Sequence, residues 1–556
     1  MPFRAIFIAL IATVALLARE PVHTRHAMVV AQEARAADVG VAALAVGGNA
    51  VDAAVAVGFA LAVTDSGAGN IGGGGFMLIR MADGRSTFID FREKAPLKAS
   101  RNMYRDAGGK MTRDSIVGWR ASGVPGTVRG LEYAHKKFGK KPWASLVEPA
   151  VQLAGEGFPL SFAQARAFHE DSDLLSRFPD SKRILLNDGN FYQPGDKLVQ
   201  PDLAATLERI RDQGARGFYE GVTARKLADA MREHGGLIAL DDLKQYEAVE
   251  RKPLTGRYKD FEIITAPPPS SGGIGILQML GMLDDSGYER GGAGSASTLH
   301  YLAEVMRRFY ADRSKYLADP DFVKVPVSKL LDAGYIAERR STIDPERATP
   351  SGEIGPGKIA FNESGETTNY NVIDSEGNAV VVTYTLNNWY GSGVTVPGLG
   401  FLLNDEMDDF ASKPGSPNMF GLVQGEANAI KPAKRPLSSM TPTIVLRNGK
   451  LFMVLGAPGG GRIINGVLQV FLNAADFGMN VQDAIDWPRI HHQWMPDKLY
   501  VEPGISPDTV ALLKQRGYTV ERTGGVARVD AILVSKDGWL EGGVDGRGPD
   551  GKAGGF

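Results

Sequence analysis

Apolar residues recur at two different periods along this chain, and the switches between them outline its architecture. Residues 27–63 carry a helical pattern, with Gly47-Gly48-Asn49 as the break between two helices. The Ala/Val-rich run from Val41 to Val63 is interrupted by Gly47, Gly48, Asn49 and Asp52, so it reads as a buried helix pair, or a helix and a strand, and not as a membrane span. Met77–Arg80 and Ser86–Phe91 have strand character about the turn Asp83-Gly84. Helical spacing dominates residues 140–350, as in Leu203–Ile210 and in Leu299–Tyr316, where Leu302, Val305, Met306, Phe309 and Tyr310 share a face. Tyr258–Thr265 interrupts it as a strand. Further on, hairpins are predicted over 370–386, turning at Ser375-Glu376-Gly377, and over 443–455, turning at Asn448-Gly449. A helical pattern returns from Ile463 to Phe477. Helices, then hairpins, then helices predict an α+β chain whose two sheets are sandwiched by helices.

At 556 residues, length alone suggests more than one domain. A formal net charge of −2 gives no bulk attraction to nucleic acid or membrane. With no cysteine, disulfides, thiolate metal sites and a Cys nucleophile are excluded. Arg4 precedes an apolar run, Ala5–Ala18, with the length of a secretory signal and too short to span a bilayer comfortably. We take residues 1–23 as the signal, which implies a periplasmic or secreted protein. Leu16 lies badly for a cut after Ala18, so an uncleaved anchor is the alternative. Residues 343–366 are rich in Pro, Gly, Ser and Glu and read as an exposed, flexible segment ending at Glu366.

That segment leads into Gly365-Glu366-Thr367-Thr368, directly before the first hairpin. A threonine hydroxyl is a poor nucleophile until a base takes its proton. If the bond before Thr367 is cut, its own new α-amino group can be that base. Gly456-Ala-Pro-Gly459-Gly460-Gly461-Arg462 is a loop between a strand and a helix, suited to bring backbone N–H groups to a developing negative charge. No Gly-Lys-Ser/Thr follows it, and its spacing is not that of a dinucleotide fingerprint. His491-His492 invites a metal reading, but adjacent strand residues point to opposite faces and no acids stand at ligand spacing.

The stretches 47–96, 367–410 and 431–462 closely resemble the γ-glutamyltranspeptidase family, and the resemblance extends from about residue 26 to the C-terminus. It implies an N-terminal-nucleophile (Ntn) hydrolase fold, a four-layer αββα sandwich. A precursor would cut itself into a large subunit, 24–366, and a small subunit, 367–556, that remain associated as one domain. The implied activity is γ-glutamyl transfer from glutathione and other γ-glutamyl compounds to water, amino acids or peptides, through an ester on Thr367. Thr385 corresponds to the threonine that orients the nucleophile, and Gly459 and Gly460 to the oxyanion donors. Arg92, Ser438 and Ser439 would hold the substrate α-carboxylate, and Asn387, Glu406 and Asp409 its ammonium. Residues 412–425 match a lid, with Phe420 where bacterial relatives usually have tyrosine. Asn369 stands where histidine is more usual. No cofactor, metal, nucleic acid or stable membrane insertion is expected. The rival readings are a glutaryl-cephalosporin-type acylase of the same fold and a non-catalytic amino-acid-binding relative.

Overall fold

The computed structural model describes residues 19–357, 368–413, 415, 418–419, 421–423 and 425–556. The apolar leader at residues 5–18, the Glu366–Thr367 junction and Phe420 lie outside the described residues.

Among the described residues, two seven-stranded sheets stack on each other. The first runs in the order Lys552–Gly555, Met28–Ala31, Thr368–Ile373, Ala379–Thr385, Gly74–Arg80, Ser86–Phe91, Val249–Arg251. The second runs Val22–Thr24, Leu540–Gly543, Asp530–Val534, Lys450–Gly456, Thr443–Arg447, Phe261–Thr265, Leu254–Tyr258. Neighbouring strands in both are antiparallel. The two-residue period of a strand explains the layering. Val380, Val382 and Tyr384 pack into the core beneath one helix layer, while Ala379 and Val381 enter the core between the sheets. Helices Ala34–Ala45, Ala50–Thr64 and Thr127–Phe138 cover the first sheet, and Gly272–Leu283 and Ile463–Ala475 cover the second. The α+β sandwich expected from the pattern is therefore present.

Helix Ala50–Thr64 is buried along its whole length, which its small apolar side chains permit. Asn49 starts it with a capping box: its side chain accepts from the N–H groups of Val51 and Asp52, and Asp52 accepts from the N–H of Asn49. The predicted break therefore falls at a cap.

Three expectations are corrected. Met28–Ala31 is a strand, not the start of a helix. Val29 and Ala31 face one core, and Met28 and Val30 the other, so no polar alternation marks it. Tyr258–Thr265 is not one strand but the bend and second arm of a hairpin, with Lys259 at a φ of 50°. The turn carries no Gly, Asn or Pro to announce it. Residues 343–357 are mostly exposed, as expected, but not free of the core. Ile354 is buried, and Ser351 is clasped between Arg307 Nη1 (2.7 Å, donating to Oγ) and Asp497 Oδ2 (2.8 Å, accepting from N).

Segments from before and after residue 367 alternate in both sheets. Thr368–Ile373 pairs with Met28–Ala31, and Ala379–Thr385 pairs with Gly74–Arg80. One layered unit results, although length suggested more domains.

Candidate active site

The hairpin that follows the junction is seated against a glycine run. At Gly73 a Cβ would stand 1.9 Å from the Thr385 carbonyl oxygen, and at Gly75 one would stand 2.4 Å from that of Thr383. No side chain fits there, so the glycines let the returning strand and its neighbour close up. Thr385 is buried, and its Oγ1 accepts from the backbone N–H of Asn387 at 2.7 Å. Asn387 has a φ of 78°, a conformation asparagine tolerates, and its Nδ2 donates to the Asp405 carbonyl at 3.1 Å. Thr385, Asn387 and the acidic turn are thus tied into one unit. Asn369 is buried, 2.9 Å from Thr383 Oγ1, and packs on Gly456, where a Cβ would stand 2.1 Å from its Oδ1.

Glu406–Asp409 forms a single tight turn, fully inside the protein. It delivers Glu406 and Asp409 to Arg92, at the end of strand Ser86–Phe91. Arg92 Nη1 ion-pairs with Glu406 Oε1, and Nη2 with Asp409 Oδ2; Glu93 Oε2 lies 3.7 Å from Nη1. The guanidinium also donates to the carbonyls of Pro436 and Leu437, each at 3.2 Å. The residues expected to grip a carboxylate and an ammonium separately therefore hold each other. Their charges set the protonation of the site. Burial opposes the charge on Arg92, but Glu406, Asp409 and Glu93 hold its pKa above the ordinary value. Burial pushes Glu93 up to about 7 against the pull of Arg92. Burial also raises Glu406 and Asp405 well above the usual carboxylate range, with neighbouring acids adding to it. Several acids share one cation, so some carry protons near neutrality.

Ser438 and Ser439 directly follow Pro436 and Leu437, whose carbonyls accept from Arg92. The segment 267–273 clasps that chain: Ser438 N donates to the Pro269 carbonyl (2.8 Å), and Ser271 N and Oγ donate to the Ser438 carbonyl (2.8 and 2.9 Å). Ser439 Oγ accepts from Arg313 Nη2, while Arg313 Nε donates to Ser271 Oγ at 3.2 Å. Arg313 is a residue that sequence reasoning missed. It is 1 % exposed, and burial lowers its pKa to about 9 against the opposing fields of Tyr310 and Asp409. The available signal was weak, because the same helix carries other buried charged residues, Glu304, Arg307, Arg308 and Asp312. The glycine loop lies beyond strand Lys450–Gly456, with Gly459 and Gly460 at φ of 133° and 57°. It opens helix Ile463–Ala475 through a turn at Gly460–Arg462. Gly461 O accepts from Tyr310 OH on the same long helix as Arg313.

Two stacked antiparallel sheets between helix layers, with the hairpin Thr368–Thr385 inside one of them, form an N-terminal-nucleophile hydrolase fold. The model of the family described as Gamma-glutamyltranspeptidase matches residues 36–555. The glutathione hydrolase proenzyme of Escherichia coli (strain K12) is 48% identical over 538 residues, covering 96% of this chain and 93% of the relative. A cephalosporin acylase from Bacillus halodurans superposes with a TM-score of 0.87 at 26% identity, over 97% of each chain. The γ-glutamyltranspeptidase of Helicobacter pylori gives a TM-score of 0.57 at 45% identity, over 58% of this chain and 93% of that one. The chain belongs to the γ-glutamyltranspeptidase family.

Among the described residues, no group of three or more His, Asp or Glu is arranged to hold a metal ion. His491 and His492 are buried instead. Asn465 Nδ2 donates to His491 Nδ1 at 2.8 Å, and His491 Nε2 meets Gln493 Oε1 at 2.8 Å. His492 Nε2 lies 3.3 Å from Asp497. Burial pushes the two rings down to about 3 and about 4. Because both folded values lie below the unfolded value, the native state binds fewer protons. Their stabilising contribution is complete above about pH 6.5 and is lost as the pH falls through the folded values. His491→Gln keeps a neutral polar group and removes one of these protons. The gap in unfolding free energy between wild type and variant should shrink by about 2 kcal/mol from pH 7 to pH 5. Urea unfolding at both values measures it; a constant gap would show that His491 titrates in the folded state as it does in the unfolded chain.

Proposed function

We propose that this chain is a self-processing γ-glutamyltransferase and glutathione hydrolase. It cuts itself between Glu366 and Thr367 into fragments 24–366 and 367–556, which stay together because both sheets need strands from each. The hydroxyl of Thr367 attacks the substrate γ-carbonyl, and its freed α-amino group takes the proton and passes it to the departing amine. The N–H groups of Gly459 and Gly460 receive the oxyanion, and Thr385 orients the nucleophile. Water, an amino acid or a peptide then breaks the γ-glutamyl ester. No step calls on a cofactor. Asn369 braces the strand that follows the nucleophile, and Phe420 screens the site as part of a lid. The leader places the protein in the periplasm or outside the cell.

One observation supports this reading above others: Arg92 is buried between Glu406 and Asp409. A γ-glutamyl head carries a carboxylate and an ammonium. When it binds, its carboxylate takes a place on Arg92 beside Ser438 and Ser439. Its ammonium takes the carboxylates so released, together with Asn387. Ion pairs are exchanged and none is left unmatched. A glutaryl chain brings the carboxylate alone and strands an acid in a dry site, which costs several kcal/mol or a proton uptake. The acylase reading, favoured by the closeness of the fold to a cephalosporin acylase, meets that penalty.

Three measurements check the proposal. Wild-type protein on a denaturing gel should run as two fragments, the smaller beginning at Thr367, whereas Thr367→Ala should stay uncut and inactive; a cut mapped elsewhere refutes the nucleophile. Hydrolysis of γ-glutamyl anilide should exceed that of glutaryl anilide by about a hundred-fold in kcat/KM. The reverse order would assign the chain to the acylases. Arg313 is a donor only, so Ser439 Oγ accepts from it and its own proton is left to donate to the substrate. Arg313→Gln should therefore raise KM for γ-glutamyl donors about ten-fold, with Arg313→Lys recovering part of it. An effect confined to kcat would remove this role.

A further inference from the structure

One group of buried charges has no part in the chemistry above. Glu304, Arg307, Arg308 and Asp312 lie on helix Ala296–Tyr316, all inside the protein. Taking charges out of water is expensive, so the groups they hold are informative. Each of the four bonds to one segment, 349–357. Glu304 Oε2 accepts from Thr349 Oγ1 (2.8 Å), and Arg308 Nη2 donates to the same oxygen (3.3 Å). Arg307 Nη1 donates to Ser351 Oγ. Asp312 Oδ1 accepts from Gly357 N (3.0 Å), and Tyr316 OH, one turn on, donates to the Gly357 carbonyl.

The other side of this clasp comes from beyond the Glu366–Thr367 junction. Trp494 Nε1 donates to the carbonyls of Ser351 (3.0 Å) and Ile354 (2.7 Å), and Asp497 Oδ2 accepts from Ser351 N. Gly357 is closely seated, since a Cβ there would stand 2.2 Å from Tyr335 Oη and 2.9 Å from Cζ. The stretch Ser351-Gly-Glu-Ile-Gly-Pro-Gly357 has one large apolar side chain, Ile354, and so adds little to the core. Its position in the chain is what sets it apart. Thr367 follows Gly357 by ten residues and Ser351 by sixteen. Fixing a chain close to a reacting residue shortens the run that must be brought into place, and lowers the entropic cost of doing so.

We propose that residues 349–357 are an anchor for self-cleavage, held from both sides of the junction, and that Arg307, Asp312, Tyr316 and Trp494 are positioning residues for maturation and not for turnover. The inference rests on the self-processing reading above and names what holds the precursor in place for it. In that cleavage the Thr367 hydroxyl adds to the Glu366 carbonyl, and its proton passes to the nitrogen as the peptide C–N bond breaks. Water then splits the ester, leaving a Glu366 carboxylate and a Thr367 with free amine and hydroxyl. The anchor acts on this step only through the chain that joins it to Glu366.

The test follows a pulse-labelled full-length chain as it converts to two fragments on a denaturing gel. Ile354→Ser with Gly357→Val removes the apolar contact and overfills the seat on Tyr335, so the chain is held only as far as Ser351. Conversion should slow by at least about two-fold, the factor that lengthening the run from ten to sixteen residues gives on its own. Gly352→Val is the matched control, because nothing lies within 4 Å of a Cβ there, and it should convert at the wild-type rate. Once matured, all three proteins should share one kcat/KM for a γ-glutamyl donor. Conversion of the double variant at the wild-type rate overturns the anchor and leaves self-processing intact. So does a slowing that Gly352→Val reproduces, or one matched by an equal fall in mature kcat/KM, since either marks a general structural effect. If the wild-type chain stays whole, self-processing falls and the anchor with it.

Discussion

The structure depends on the insertion of one hairpin, Thr368–Thr385, between two strands that precede it by some three hundred residues in the chain. Such an insertion needs contact on both sides. The glycine run 72–75 gives up side chains so that the backbone of the next strand can approach the carbonyls of the returning arm. Small residues of helix Ala50–Thr64 do the same from the helix layer, with Tyr370 and Tyr384 donating to the carbonyls of Ala54 and Gly58. The strand that begins at Thr368 is thus held by neighbours that come from distant parts of the chain.

The second constraint is electrostatic. Arg92, Glu93, Asp405, Glu406 and Asp409 are all nine-tenths buried or more, and one guanidinium faces several acids. Removing charges from water is expensive, so the protein keeps protons on some acids and shares the cation among the rest. This arrangement contributes little to stability but is well suited to exchange. A zwitterionic ligand can replace one set of pairs with another without leaving an unmatched charge, which an ordinary hydrophobic pocket cannot do.

Legibility in the sequence followed the range of the interactions. Asn49 as a helix break and Asn448-Gly449 as a hairpin turn with φ of 52° and 76° are local matters, and each could be read from composition and spacing. Met28–Ala31 was misread because burial on both faces erases the alternation that marks a strand. The turn at Lys259-Asp260 was missed because Asp260 is its one turn-forming residue and neither Gly, Asn nor Pro accompanies it. The individual charged residues of the site were recoverable through family resemblance, but their mutual pairing was not. That pairing depends on a turn at 406–409 meeting a strand end at 92, a separation no periodicity spans. Arg313 escaped for a related reason: its partners, Ser271 and Ser439, come from two other segments.

The same fold occurs in a cephalosporin acylase at a TM-score of 0.87, so architecture alone does not select the substrate. Under the proposed function, selection falls to what the buried pairs around Arg92 can exchange. That cluster holds one guanidinium against several acids, so it suits a ligand head that brings both signs and opposes one that brings a carboxylate alone. A γ-glutamyl head brings both signs and a glutaryl chain only one. The discrimination between them therefore resides in the charges of the substrate head more than in the architecture that the two kinds of enzyme share.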